Sequence, residues 1–360
     1  MKVPSLKQFA ATELTSRLNS DNTDDLKKLL TTTIGNQYLV EKHSKLSKLA
    51  LLRADSIENE HYYRELLLEK DVITDNQQSR DSKSNYKREY IEKELTKLLL
   101  NESDCKEEVE SSREFVFELN LHQVSNLDRI NSFLPSFVNL SSLTLQIQHA
   151  SKVELASTLA ELVRSIGSLS NLLSFALINS QINDDLLRPF VKQLEKTTIN
   201  ERLIELDLSY NKISTEGFRL VLAYFLDRQD TILTQLNFAG NEIQAEGGRM
   251  LGRIIKDNTS LVVIDLRMNL FGDEGGKMII EALKKNNSLQ YLNLSHNDLS
   301  SGSADVVCKL LETCKERNSK LDNLSLCGNA FTNSDLKHME VSARSEGMNI
   351  IDTRGNDEKV

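Results

Sequence analysis

One eleven-residue phrase returns five times in the second half of the chain and restricts what the chain can fold into. It reads LIELDLSYNKI from Leu203, LTQLNFAGNEI from Leu233, LVVIDLRMNLF from Leu261, LQYLNLSHNDL from Leu289 and LDNLSLCGNAF from Leu321. The starting points lie 30, 28, 28 and 32 residues apart. Leu206 with Leu208, Ile264 with Leu266 and Leu292 with Leu294 alternate with polar residues, so each pair points to one face of a short strand. An Asn closes every phrase (Asn211, Asn241, Asn269, Asn297 and Asn329) where the chain must turn out of the strand. A carboxamide there can satisfy both N–H and C=O groups stranded inside the turn.

The remainder of each period carries a helix. Met250, Leu251, Ile254 and Ile255 recur at helical spacing, as do Met278, Ile279, Ala282 and Leu283. One strand and one helix cannot bury their own apolar faces, so successive units must stack. The pattern L-x-x-L-x-L-x-x-N-x-L at this period is that of a leucine-rich repeat, and the unit length resembles the ribonuclease-inhibitor class. The expected fold is an α/β solenoid, a horseshoe with a parallel sheet on its concave face and helices on its convex face.

Weaker phrases precede Leu203. LSSLTLQIQHA at Leu140 has Gln148 in place of the Asn, and LLSFALINSQI at Leu172 has Ser180 there. FVFELNLHQVSN from Phe115 reads as a degenerate first strand, and ELASTLAELVRSIGSL between the two weak phrases reads as a helix. At the far end MNIIDTRGN leads to Asn356, a final partial repeat. The repeat domain is therefore expected over 111–360.

Residues 1–110 hold no such phrase and are expected to be helical, over 3–18, 24–30, 44–53, 58–68 and 86–100, with a loop over 74–85. The acidic run 101–114 reads as a linker. This region is either a cap sealing the first repeat, as solenoid ends require, or a docking module of its own.

A net charge of −9 argues against wholesale binding to nucleic acid or an anionic membrane. There is no 18-residue apolar run and no apolar core of a secretory signal near the N-terminus. Cys105, Cys308, Cys314 and Cys327 show no paired metal-ligand spacing; they read as small fillers of a protein in a reducing, cytoplasmic compartment. No phosphate-binding loop, zinc motif or nucleophile elbow is present, so no catalytic, cofactor or metal residue is assigned. The glycine pairs at 247–248 and 275–276 read as close backbone packing, and Ser214 and Asp273 as helix caps.

The informative surface is the strand face. Between the strand leucines, Asp207, Asn237, Asp265, Asn293 and Ser325 form one column. Ser209, Ala239, Arg267, Ser295 and Cys327 form a second, and Glu205, Gln235, Val263, Tyr291 and Asn323 a third. All are expected to face solvent together, as a mildly acidic strip with one Tyr and one Arg, residue types enriched at binding hot spots. Glu205, Asp207, Asn237, Asp265, Arg267, Tyr291, Asn293 and the exposed His296 are the candidate protein-contacting residues.

Residues 261–304, with LRMN, DEGG and EAL-x-x-N-x-S-L, resemble the t-complex-associated testis-expressed leucine-rich-repeat proteins, subunit 5 of the nexin–dynein regulatory complex. FALINSQINDDLLRPFVKQL, residues 175–194, is similar to the first clear repeat of that family. The resemblance spans 115–356 and implies a non-enzymatic, structural role. The chain would be one subunit of a hetero-oligomeric axonemal linker between outer doublet microtubules, contacting other subunits and regulating dynein in a cilium or flagellum. Another leucine-rich-repeat binding or inhibitor protein is one alternative, and Ran GTPase-activating proteins, which resemble the same repeat class, are the other. They need an arginine from an early repeat loop. Here Arg164 and Arg188 fall in or near helices, and Arg267 in a central strand.

Overall fold

The computed structural model describes residues 86–101, 105–148, 152–226, 231–317, 319–344 and 351–352. The helices and loop expected before residue 86, and Asn356, lie outside these residues. Among the described residues two compact units are present, one within 86–119 and 133–140, the other within 120–132 and 141–352.

In the first unit, α1 (Tyr86–Leu100) buries Tyr90, Ile91, Leu95 and Leu99, a stripe at helical spacing. Lys93 pairs with Glu89 on its outer side, and Arg88 pairs with the more deeply placed Glu92, each pair 2.9 Å apart. From residue 105 on, the acidic run read as a linker is helical instead: α2 (Lys106–Ser112) follows buried Cys105 and buries Glu108, Val109 and Ser112. Those positions fall every three or four residues, a stripe hidden from a composition reading by the acids around it. Glu92 Oε1 accepts the N–H groups of Phe117 and Glu118 at 2.9 and 2.8 Å. Burial pushes the Glu92 carboxyl up from its ordinary pKa, against the opposing pull of those N–H groups and Arg88.

The second unit is built of strand–helix periods. Its strands are β1 (Glu118–Val124), β2 (Ser142–Ile147), β3 (Ser174–Leu177), β4 (Glu205–Asp207), β5 (Gln235–Asn237), β6 (Val263–Asp265), β7 (Tyr291–Asn293), β8 (Asn323–Ser325) and β9 (Ile351–Asp352). They stand side by side in chain order, and pairing is parallel from β2 to β9. Between them run α3 (Leu127–Phe133), α4 (Lys152–Ser168), α5 (Asp184–Leu194), α6 (Thr215–Phe225), α7 (Ala245–Ile255), α8 (Gly272–Leu283), α9 (Ser301–Arg317) and α10 (Asn333–Arg344).

The stacking follows from the phrase. Leu203, Leu206, Leu208 and Ile213 are each at most 2 % exposed, and their counterparts in the next repeats are buried as well. Burying each such side chain contributes about 1.5–3 kcal/mol, so the shared core between repeats holds the unit together. Helices α7 and α8 touch through their backbones. A Cβ on Gly248 would lie 2.5 Å from the Gly275 carbonyl oxygen, and one on Gly252 2.6 Å from that of Met278. Gly248, Gly252 and Gly275 are therefore required by contact between neighbouring helices, while Gly247 and Gly276 leave room for the side chains of Ile243 and Leu299.

Helix starts are capped in part across the repeats. Ser214 caps α6, its hydroxyl accepting the Glu216 N–H at 3.2 Å, while Asp184 in α5 receives the Ser214 N–H at 2.9 Å. Asp273 is not the cap of its own helix: it accepts the Ser300 N–H at 2.8 Å and the hydroxyls of Ser300 and Ser303, at the start of α9. Stacking sets each helix start beside the first turn of the helix before it. Burial alone would raise the Asp273 carboxyl, but these donors outweigh it and hold its pKa low.

Candidate protein-interaction surface

The asparagines make the frame that carries this surface. Asn211 Nδ2 donates to Leu177 O in the preceding repeat at 2.8 Å and to Leu208 O and Ser209 O in its own turn. Its Oδ1 accepts the N–H groups of Ser180 and Ile182, at 3.0 and 3.1 Å. Asn241, Asn269 and Asn329 reach back in the same way, to Leu208 O, Phe238 O and Leu294 O. Asn297 Nδ2 donates to Leu266 O at 2.9 Å, but its Oδ1 is buried without a partner.

Strand pairing aligns the predicted columns. Glu205, Gln235, Val263, Tyr291 and Asn323 are consecutive partners, as are Asp207, Asn237, Asp265, Asn293 and Ser325. The strands are only three residues long because the side chain at the second column turns the chain. Asp207, Asn237, Asp265 and Asn293 each accept, through Oδ1, the N–H two residues on, at 2.8, 2.9, 3.0 and 3.0 Å. Residues beyond that point curl inward, which corrects the expectation of three solvent-facing columns. Ser209, Ala239 and Ser295 are buried, as are Asn293 and Ser325 of the second column. Glu205, Asp207, Asn237, Asp265, Arg267 and Tyr291 remain half-buried, and His296 is exposed.

Neighbouring polar groups are tied together. Asn237 Nδ2 donates to Asp207 Oδ2 at 2.8 Å, Ser174 Oγ to Glu205 Oε2 at 2.9 Å, and Arg267 Nε lies 3.5 Å from Asp265 Oδ2. Burial pushes the Asp265 carboxyl above its ordinary pKa, and the Asp207 charge adds to this, while the Arg267 N–H and guanidinium and the Asn293 side chain oppose it. For a carboxyl whose pKa rises on folding, the associated stability is full below the unfolded pKa and is lost as pH rises through the folded pKa. The charged Asp265 therefore weakens the fold at neutral pH. Asn237 and Asn293 hold the same place and make the same turn bond without a charge.

A second feature escaped the sequence reading. The residue before each Asn adopts left-handed backbone: Tyr210 (φ 56°), Gly240 (64°), Met268 (56°), His296 (52°) and Gly328 (65°). For a residue with a side chain this conformation costs about 1–2 kcal/mol. Tyr210 and Met268 are nevertheless large, and 43 % and 49 % exposed, with Leu270 also 49 % exposed beside them. The legible signal was a bulky residue standing where Gly240 and Gly328 stand in other repeats.

Of the arginines weighed for a GTPase-activating role, Arg164 and Arg188 lie in helices, and Arg267 lies in the turn just past β6 rather than in the strand. Arg164 in α4 pairs with Glu161 at 3.0 Å, Arg188 in α5 approaches Glu216 at 3.5 Å, and Arg267 faces Asp265. Among the described residues no cluster of three His, Cys, Asp or Glu could hold a metal ion. No described helix is long and apolar enough to cross a membrane.

The family described as Leucine Rich repeat matches residues 200–219, 229–252, 257–279 and 285–308. These segments are leucine-rich repeats. Each match begins just before a phrase and runs into the helix that follows it, so each spans one strand, one Asn turn and the start of one helix. The leucine-rich-repeat solenoid extends beyond the matched segments, since β2, β3 and β8 continue the same parallel sheet. Among solved structures, an internalin (inlF) from Listeria monocytogenes is 22% identical, over 72% of this chain and 69% of that one, with a TM-score of 0.41. The actin-binding site 2 of leiomodin-1 is 12% identical, over 56% of this chain and 94% of that one, with a TM-score of 0.28. No curated protein matches the chain.

Proposed function

We propose that this leucine-rich-repeat protein is a non-enzymatic interaction subunit of the nexin–dynein regulatory complex. In that role it works in the axoneme of a motile cilium or flagellum, joins other linker subunits between outer doublet microtubules and tunes dynein activity. The observation that carries the binding role is the paired strand face, on which Glu205, Asp207, Asn237, Asp265 and Tyr291 stand half-buried on strands in register. The charge at Asp207 and Asp265 is more than the turn bond needs, since Asn237 and Asn293 make the same bond without one. Polar and aromatic groups aligned in this way offer a face to a protein partner. The ciliary setting is supported by the resemblance of residues 261–304 and 175–194 to the complex's leucine-rich-repeat subunit.

The test is location. A tagged full-length chain in a ciliated cell is expected along the axoneme and resistant to detergent extraction; a diffuse cytoplasmic distribution would remove the ciliary reading. Phosphate release from GTP-loaded Ran should be unchanged by added protein, and an acceleration would replace this proposal with the GTPase-activating one.

A further inference from the structure

The row of side chains at the strand exits does something the polar strip does not. Tyr210, Met268 and His296 occupy left-handed backbone and are exposed, although glycine fills that place in the repeat between Tyr210 and Met268 and in the one after His296. A Cβ added to Gly240 would meet the Tyr210 ring, and one added to Gly328 the His296 ring. Tyr210 and His296 thus each lean over the glycine of the next repeat, and Met268 stands exposed between them, so that the three mark one row along the strand exits. Leu270 widens the ridge by standing out from the turn after Asn269. Neither backbone preference nor burial accounts for these choices, since glycine would relieve the first and the side chains gain little of the second.

The charge around the ridge defines what can sit on it. Glu242 and Asp298, exposed, hold the place in their repeats that Leu270 holds in its own. On the strand side lie Glu205, Asp207 and Asp265. The cations nearby are Lys212, whose ammonium meets Gln181 at 3.3 Å, and Arg267, which faces Asp265. Acids therefore outnumber bases around an apolar ridge. An anionic membrane surface or a nucleic acid would be repelled, whereas a protein segment with Lys or Arg between apolar side chains is complementary.

We infer that Tyr210, Met268, Leu270 and His296 form the docking ridge for a partner protein segment that carries basic and apolar residues together. This rests on the reading of the strand side as a protein-binding surface and assigns the anchor residues within it.

A fluorescent peptide of alternating Leu and Lys, titrated onto the full-length chain, supplies the probe, with a Leu/Glu peptide and anionic vesicles as comparisons. The ridge variant is Tyr210→Gly, Met268→Gly and His296→Gly together, because glycine suits the backbone there. The strip variant is Asp207→Asn with Asp265→Asn. The Leu/Lys peptide should bind, and the ridge variant should lose about tenfold in affinity or more, with an unchanged or higher melting midpoint. Unchanged affinity in the ridge variant overturns the inference, as does equal binding of the Leu/Glu peptide or ridge-dependent binding of vesicles. A melting midpoint lowered by several degrees would assign the side chains to the fold instead. If the strip variant alone weakens binding, the protein-binding reading stands and the ridge falls; if neither does, both fall.

Discussion

The two repeats before Leu203 and the five that begin there close their turns with different chemistry. In the repeat starting at Leu172 the closing residue is Ser180. Its hydroxyl accepts the Ile147 N–H at 2.8 Å and donates to Ile178 O at 2.8 Å. In the next repeat Asn211 reaches three carbonyls and two N–H groups. Both residues bridge to the preceding repeat, but a carboxamide carries two donors and an acceptor while a hydroxyl has one donor. The comparison teaches that the repeat motif is one solution to a general problem, the satisfaction of buried turn groups. A repeat can depart from the motif while keeping the stack.

Breaking the stronger of the two turns should have the largest effect. Asn211→Ala leaves several buried groups without partners and should lower stability by about 3 kcal/mol, read from denaturant unfolding. Helix contact comes next. Gly248→Ala gains about 1 kcal/mol of helix propensity, but its methyl would collide with the Gly275 carbonyl. The net should be a loss of about 1–3 kcal/mol, and a stabilised variant would mean that α7 and α8 do not pack through their backbones. Ser180→Ala should cost about 1 kcal/mol; a loss as large as that of Asn211→Ala would erase the distinction between the two kinds of turn. Asn297→Ala should cost less than Asn211→Ala, because its carbonyl oxygen is already unpaired.

The smallest expected effect has the opposite sign. Asp265→Asn should raise the melting midpoint at neutral pH, where the native carboxylate is charged. The gain should shrink as pH falls through the raised pKa of the folded carboxyl, because the protonated native side chain then resembles Asn. A variant less stable at neutral pH, or a gap that widens on acidification, would show that the charge serves the fold.

Much of this architecture was legible in the order of residues. Leucines at fixed places predict aligned strands, and Asn211 to Asn329 predict the ladder, because period and chemistry there are local and repeated. The weak phrase at Leu172 was placed by the same period despite Ser180. What could not be read were features that depend on how neighbouring repeats meet. Asp273 belongs to the cap of the next helix, Ser209, Ala239 and Ser295 turn inward, and Cys105 to Ser112 hide a buried stripe, part of it polar, inside an acidic run. The left-handed turn at Tyr210, Met268 and His296 has no motif of its own; only comparison with Gly240 and Gly328 reveals it.

The most direct measurement is recovery of linker subunits from an axonemal extract by the full-length chain, wild type against Asp207→Lys with Asp265→Lys, both checked for an intact fold by circular dichroism. If the strand side is the binding surface, the charge-reversed chain loses those subunits while the wild type retains them. Equal recovery by the two folded proteins would contradict it and move the interface elsewhere on the molecule.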